Sequence, residues 1–263
     1  MYRLRRVGSE DIDYIGQTGL SLRKRLAMLR GLYSPEMPFR DPHTAAPALW
    51  ALRHLLACSF QVSVCPILGD PRSRKGLEAL AIALHRQEWG RSPALNFGRM
   101  PRGYQMSSGN NATLVAANRR FRGGPTEGPE VSWTSGIPPR GPLEGGPITS
   151  TWCGHEWSAW LRLRDAHTRL AEGAYGLYRI RSEKAEDLLY IGEGKVRERL
   201  RAHLAKVGRD HQQGQLFSAA GELRCSWTLS STWLAHQRLE LETDLIAAHM
   251  LATGQPPVAQ FLG

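Results

Sequence analysis

Two sets of side chains that could act on a phosphate group recur in this chain at nearly equal spacing. Each set combines two tyrosines, the second of which opens a Tyr-Ile-Gly triplet, with an arginine that follows a short distance later. The side chains are Tyr2, Tyr14 and Arg25 in the first set and Tyr178, Tyr190 and Arg199 in the second. A phenol can take part in proton transfer, and a guanidinium can stabilise charge that develops on a phosphate. The repeat therefore indicates two copies of one fold with a candidate site in each.

A glutamate accompanies each set further along the chain. Glu78 and Glu242 align without a gap, and each lies in a segment with a helical pattern. A lone carboxylate, with water completing the coordination shell, suits Mg²⁺ or Mn²⁺. His203 lies four residues after Arg199 and so on the same helix face, whereas the first copy has Leu29 at the corresponding position. Phenol or imidazole, guanidinium and metal-binding carboxylate are together the groups that phosphodiester hydrolysis needs.

The repeats also end alike, on supporting amide side chains. Pro93 aligns with Pro257, so that Asn96 corresponds to Gln260. Each of these residue types has an ordinary structural role as well, because tyrosines at strand ends usually pack and helix arginines usually face water. Two copies with equal spacing indicate a shared fold, which does not establish shared chemistry. The complete ordered set is what favours at least one active site.

The elements that must position these side chains follow one order in both copies. The first module, residues 1–100, reads as strand, strand, helix, helix, strand and helix, and the second, residues 173–263, is read in the same order. We therefore predict an α+β fold of two small modules with mixed sheets. The predicted strands are 2–6, 11–16, 60–68, 176–180, 188–191 and 223–229, and the predicted helices are 22–32, 48–56, 75–89, 196–206 and 231–252.

Residues 101–172 differ in composition from both modules. Glycine and proline are concentrated in residues 123–147, which predicts irregular chain, but four tryptophans argue against a simple flexible tether. We expect an ordered, basic connector that ends in a helix over residues 156–171. Its arginines, with one on the first helix of each module, are the predicted DNA contacts: Arg102, Arg119, Arg120, Arg122, Arg23 and Arg197.

Charge is the most informative bulk property. The formal net charge is +10 and the pI about 9.9, and arginine outnumbers lysine, which favours a polyanionic partner. No apolar run approaches a membrane span or a secretory signal, and the four cysteines form no Cys-x-x-Cys pair. These features favour free thiols in a cytoplasmic protein.

Both modules resemble GIY-YIG nuclease domains, which occur in group I intron homing endonucleases, some restriction enzymes and the incision subunit of nucleotide-excision repair. The Gly-Ile-Tyr opening of the family reads Gly176-Leu177-Tyr178 here, and the Tyr-Ile-Gly, the arginine and the glutamate follow in order in both modules. The closing asparagine of the family is matched by Asn96 in the first module. The resemblance implies a DNA endonuclease of restriction or defence type that depends on Mg²⁺ or Mn²⁺. It implies that a tyrosine, or His203, accepts the proton of water, that the arginines contact the scissile phosphate and that Glu78 and Glu242 hold the metal.

The departures from the family pattern differ between the copies. The first lacks Gly-Ile before Tyr2, and the second has Gln260 in place of asparagine and Glu193-Gly194 where a hydroxyl residue is common. Two modules in one chain could cut both strands of double-stranded DNA as a monomer, although a dimer stays open. The alternative is a DNA-binding protein in which one or both modules recognise structure or modification without cutting. The residues alone do not rank the two copies.

Overall fold

The computed structural model describes residues 1–35, 45–98 and 135–262 of the chain. Packing divides the chain into two compact units. The first unit contains Met1–Leu68 and Pro93–Ser135, and the second contains Gly69–Ser92 and Gly136–Gly263. The long helix of the first repeat therefore belongs to the second unit.

The first unit is built on a three-stranded sheet whose strand order is β2-β1-β3. Its core consists of Leu4, Leu32, Leu49 and Leu52 with their neighbours. Ser21 caps the first helix, because its hydroxyl accepts a hydrogen bond from the Lys24 amide at 3.2 Å. The elements are β1 (Tyr2–Arg6), β2 (Tyr14–Gly16), α1 (Leu22–Ala27), a 3₁₀ turn (Arg30–Tyr33), α2 (Ala46–Leu56) and β3 (Phe60–Val64).

The second unit is built on a four-stranded sheet of order β4-β7-β5-β6, so that β6-β5-β7 repeats the arrangement of the first sheet. One face packs on α5 and α6, and the other packs on α7 and on the connector. The elements are α3 (Pro71–Trp89), a 3₁₀ turn (Trp152–Gly154), β4 (Leu161–Arg162), α4 (Leu163–Ala166), a 3₁₀ turn (His167–Arg169), β5 (Tyr175–Ser182), β6 (Leu188–Lys195), α5 (Val196–Leu204), α6 (Gln212–Ala219), β7 (Leu223–Leu229) and α7 (Ala235–Thr253).

Helices α3 and α7 pack against each other in the second unit. Gly76 permits their close approach, because a Cβ there would come within 2.7 Å of the Met250 sulfur. The fully buried Arg86 donates to Asp244 at 2.8 Å and lies 3.6 Å from Glu240. The buried guanidinium thus binds two carboxylates of the other helix. Such a buried group contributes to stability only if every charge is paired.

The described part of the connector is ordered around a buried arginine. The Arg179 guanidinium lies 4.2 Å from the Trp157 ring centroid and 4.7 Å from that of Trp160, and it donates to the carbonyls of Pro147 and Thr149. Tryptophan rings stacked on a guanidinium supply both apolar burial and cation–π attraction. Chain that lacks regular secondary structure is thereby fixed to the sheet.

Three sequence predictions are corrected here, and one helix was missed. The sheets are antiparallel and not mixed. In each sheet of the described residues, every pair of hydrogen-bonded neighbouring strands runs in opposite directions. The predicted helix at 156–171 is wrong over most of its length, because Trp157 and Trp160 pack on Arg179 and the chain then pairs with β7. The helix predicted over 22–32 ends at Ala27. Helix α6 was not predicted at all.

The described cysteines are free thiols. Among the helices in the described ranges, none has the length and apolar character needed to cross a membrane.

Candidate active site

The Tyr-Ile-Gly triplet of the second repeat lies on β6, an edge strand, beside the first tyrosine of the set. Gly192 pairs with Tyr178, and a Cβ on Gly192 would come within 2.4 Å of the Tyr178 hydroxyl oxygen. Gly16 has the same relation to Tyr2, with a distance of 2.8 Å. The glycine of each triplet is therefore required because the tyrosine ring occupies the space of a side chain.

Tyr178, Tyr190 and His203 form an aromatic cluster on one face of the second sheet. The Tyr178 hydroxyl and His203 Nε2 are 2.8 Å apart and share a hydrogen bond. The Tyr190 ring centroid lies 6.0 Å from that of Tyr178 and 4.5 Å from that of His203. Val196, Leu200 and His203 are the buried residues of α5, so its apolar stripe turns the imidazole toward the sheet. The cluster is thus positioned by the ordinary packing of one amphipathic helix.

Burial keeps the side chains of this cluster neutral. It raises the pKa of Tyr178 well above its usual value, and with the nearby Glu242 carboxylate it raises the pKa of Tyr190 to about 12. Burial and two nearby cations lower the pKa of His203 to about 3. An imidazole with so low a pKa accepts or donates a hydrogen bond near neutral pH but is a weak base. The geometry therefore makes His203 the residue that orients the Tyr178 hydroxyl.

Arg199 and Glu242 complete the second set. Arg199 is exposed, and its side chain runs along Gly194, where a Cβ would lie 3.3 Å from Nε. Glu242 lies on α7 and is mostly buried. Burial and, to a smaller extent, the Glu193 carboxylate raise the pKa of Glu242, the Arg199 guanidinium opposes the rise, and the resulting pKa is about 8. The second unit thus brings together all five side chains of the predicted set.

The carboxylate of Glu242 fits the divalent metal that the sequence led us to expect. Among the described residues it makes no hydrogen bond or ion pair, so both oxygens can serve as hard ligands. No group of three or more His, Cys, Asp or Glu side chains with metal-holding geometry occurs in the parts of the chain that the structure describes. A metal held here would therefore depend on Glu242 and on oxygens of water or substrate.

Sequence reasoning missed two charged residues beside this site, Glu193 and Arg238. Arg238 Nε donates to Glu193 Oε2 at 2.8 Å, and both side chains are largely buried. Glu193 stood out in the sequence only as a departure from the hydroxyl residue expected there. Arg238 precedes Glu242 by four residues on one helix, and this spacing was the available signal.

In the first unit, the tyrosines and the arginine of the first set also meet. The ring centroids of Tyr2 and Tyr14 are 6.1 Å apart, and Arg25 Nε donates to the Tyr2 hydroxyl at 3.2 Å. Leu29, at the position of His203, is buried in the apolar core. Glu78 lies on α3 and so belongs to the second unit. The first set therefore has a buried leucine where the second set has an imidazole.

Asn96 and Gln260 fix the strands that carry the triplets. Asn96 Oδ1 accepts from the Ile15 amide at 3.0 Å, and its Nδ2 donates to the Ile15 carbonyl at 2.9 Å. Gln260 Oε1 accepts from the Ile191 amide at 3.0 Å. Both side chains are buried, and each replaces the missing strand partner of an edge strand. Their role is to hold the Tyr-Ile-Gly backbone in place.

The structure describes two of the six arginines that were predicted to contact DNA. Arg23 is exposed on α1 and Arg197 is partly exposed on α5. The remaining predicted contacts, Arg102, Arg119, Arg120 and Arg122, lie outside the described residues.

Comparison with known proteins does not identify a relative. No protein family, no curated protein and no solved structure matches the chain. The site is accordingly interpreted from its own residues.

Proposed function

We propose that this chain is a divalent-metal-dependent DNA endonuclease, with its active site in the second unit. The observation that carries the proposal is the hydrogen-bonded Tyr178–His203 pair, with Tyr190 stacked beside it and Arg199 and Glu242 close enough to shift the tyrosine pKa values. The chance occurrence of all five side chains together in one unit is far less common than the chance occurrence of any one of them. The matching strand order of the two sheets supports two GIY-YIG-like modules.

The roles follow from exposure and charge. Arg199 is the exposed cation and is suited to contact the scissile phosphate, where it would stabilise developing negative charge. Tyr190 is the less buried phenol and would contact the attacking water. Tyr178, held by His203, lies behind it. Glu242 would hold Mg²⁺ or Mn²⁺, which supplies Lewis-acid stabilisation when bound.

The net charge and the surface arginines support nucleic acid as the substrate. Lys195 and Arg201 are exposed at the start and in the last turn of α5, the helix that carries Arg199. Cations clustered beside a phosphate-binding arginine favour a polyanionic chain over a small phosphate ester.

We propose further that the first unit contacts DNA without cutting it. The observation that favours this role is the buried Leu29, which stands where the second set has a histidine. In addition, Arg25 Nε already donates a hydrogen bond to the Tyr2 hydroxyl. A unit that keeps the fold, both tyrosines and the arginine but has leucine in place of the histidine is suited to holding the duplex.

Incubation with supercoiled plasmid and Mg²⁺ tests both proposals. Wild-type protein is expected to nick and then linearise the plasmid, and Arg199→Ala is expected to lose cleavage by about two orders of magnitude or more, as for other transition-state contacts. Arg25→Ala is expected to keep cleavage. Arg169→Ala removes an exposed arginine of the second unit that lies outside α5, and it serves as the matched control.

Two outcomes would contradict these assignments. Cleavage that survives Arg199→Ala but is lost in Arg25→Ala would move the active site to the first unit. Tight binding without cleavage, on both modified and unmodified DNA, would refute the nuclease proposal as a whole.

A further inference from the structure

Arg238 is a buried cation with three partners on different elements. Its Nε donates to Glu193 at 2.8 Å, a terminal nitrogen donates to the Trp233 carbonyl at 2.7 Å, and its guanidinium lies 4.4 Å from the Tyr175 ring centroid. Only 7% of the residue is exposed. Three contacts in different directions fix the guanidinium, so Arg238 is suited to position a neighbour and has little surface left for substrate.

The neighbour that Arg238 positions is Glu193, on the strand next to the candidate metal ligand. Glu193 pairs with Leu177 across the β5–β6 ladder, and Leu177 packs in one apolar cluster with Leu241 of α7. Arg238 and Glu242 are one turn apart on α7 and therefore share a helix face. A side chain bound to Arg238 consequently lies along the face of α7 that carries Glu242.

The single hydrogen bond from Arg238 leaves one oxygen of Glu193 available. Arg238 contacts Oε2, and Oε1 has no hydrogen-bond partner among the described residues. The Glu193 carboxylate lies near enough to Glu242 for the two charges to interact, and neighbouring carboxylates repel each other. A divalent cation would relieve this repulsion. Arg199 lies along Gly194 and is exposed to solvent.

We propose that Glu193 is a second acidic residue of the Glu242 site, held in place by Arg238, and that it strengthens the binding of a divalent cation. The inference rests on the nuclease function proposed above. Glu193 is a positioning residue for the cation, acting through its charge and its free oxygen, and Arg238 fixes its side chain. GIY-YIG domains commonly have a hydroxyl residue where this chain has Glu193-Gly194. A role in cation binding would explain the glutamate at this position.

The test measures Mn²⁺ binding to the full chain by isothermal titration calorimetry in the absence of DNA. Glu193→Gln is expected to weaken Mn²⁺ binding roughly tenfold, as removal of a supporting residue near a metal commonly does. Glu242→Gln is expected to abolish it. Glu186→Gln removes an exposed carboxylate from the β5–β6 turn and is expected to bind as the wild type does. Wild-type affinity in Glu193→Gln would overturn the inference.

A second variant separates charge from packing. Glutamine keeps an oxygen that can accept from Arg238, so the melting temperature of Glu193→Gln is expected to stay close to that of the wild type. Glu193→Asp keeps the charge and is expected to recover at least half of the lost affinity on a logarithmic scale. If aspartate binds no better than glutamine, the role of Glu193 is structural and the inference fails.

The test also distinguishes this inference from the function on which it rests. A wild type that neither binds Mn²⁺ nor cleaves DNA would refute the nuclease proposal. A wild type that binds Mn²⁺ and cleaves, with Glu193→Gln unchanged in both respects, would refute only the role of Glu193.

Discussion

The buried His203 is expected to make folding stability depend on pH in the mildly acidic range. An exposed histidine in the unfolded chain has its pKa near 6.5, whereas burial lowers the pKa of His203 to about 3 in the fold. The unfolded state therefore binds a proton that the folded state excludes. The stability that depends on a neutral His203 is fully present above pH 6.5 and is lost as the pH falls toward 3.

The size of this effect follows from the pKa difference. Each pH unit below 6.5 costs about 1.4 kcal/mol for one such group, so acidification from pH 7 to pH 5 should cost about 2 kcal/mol through His203. His155, whose pKa burial lowers to about 4, adds a share of its own in the same direction. The dependence on His203 is isolated by substituting that residue alone.

Two substitutions separate the titration from the hydrogen bond. His203→Leu introduces the residue that the first repeat has at this position and removes the partner of Tyr178, whereas His203→Gln keeps a polar partner. Neither side chain titrates between pH 5 and 7. On acidification from pH 7 to pH 5, the free energy of unfolding of each variant is expected to fall by about 2 kcal/mol less than that of the wild type. The two variants are expected to differ from each other by an amount that does not vary with pH.

The assay is urea denaturation at several pH values, followed by tryptophan fluorescence. Most of the tryptophans lie in the second unit, so the signal reports mainly on the unit that contains His203. The measured quantity is the difference in unfolding free energy between variant and wild type, plotted against pH. Parallel curves for the wild type and both variants would refute the reasoning, because they would show that His203 titrates normally in the fold.

Three further predictions concern packing and buried polar groups. Gly192→Ala should destabilise the fold by about 1–3 kcal/mol, because its Cβ would overlap the Tyr178 ring; an unchanged melting temperature would contradict this. Gln260→Ala should cost about 1–3 kcal/mol, because it leaves a buried amide of β6 without its side-chain partner, and faster hydrogen exchange at that amide would show the loss. Arg86→Met should cost about 3–5 kcal/mol by urea denaturation, because it leaves the buried Asp244 carboxylate unpaired; a cost below about 1 kcal/mol would contradict the prediction, and the double variant with Asp244→Leu should recover part of the loss.

Local sequence signals predicted much of the fold. The strands at Tyr2–Arg6 and Leu223–Leu229 agree with their apolar alternation. The end of α3 at Gly90 agrees as well, because glycine there takes a left-handed backbone with φ of 66°. Asp70 and Pro71 begin α3 four residues before the predicted start. Such features depend on neighbours in the chain, which a sequence displays directly.

The remaining features depend on contacts between distant residues. The helix predicted over residues 156–171 fails because Arg179, on a strand further along, draws Trp157 and Trp160 into an extended course. The pairing of Glu193 with Arg238 joins a strand to a helix 45 positions away, and neither residue belongs to the repeated set. The repeat predicted the members of the candidate site and some differences between the copies, whereas the contacts among those side chains required the three-dimensional structure.

The packing of α3 on α7 determines which fragments of the chain could fold on their own. A fragment comprising residues 1–100 would carry a helix whose buried arginine had lost both carboxylate partners. A fragment comprising residues 173–263 would keep those carboxylates and expose them to water without the arginine. The sequence repeat is therefore not a unit of autonomous folding, and attempts to express either half alone should give insoluble or partly folded material although each half contains a complete repeat.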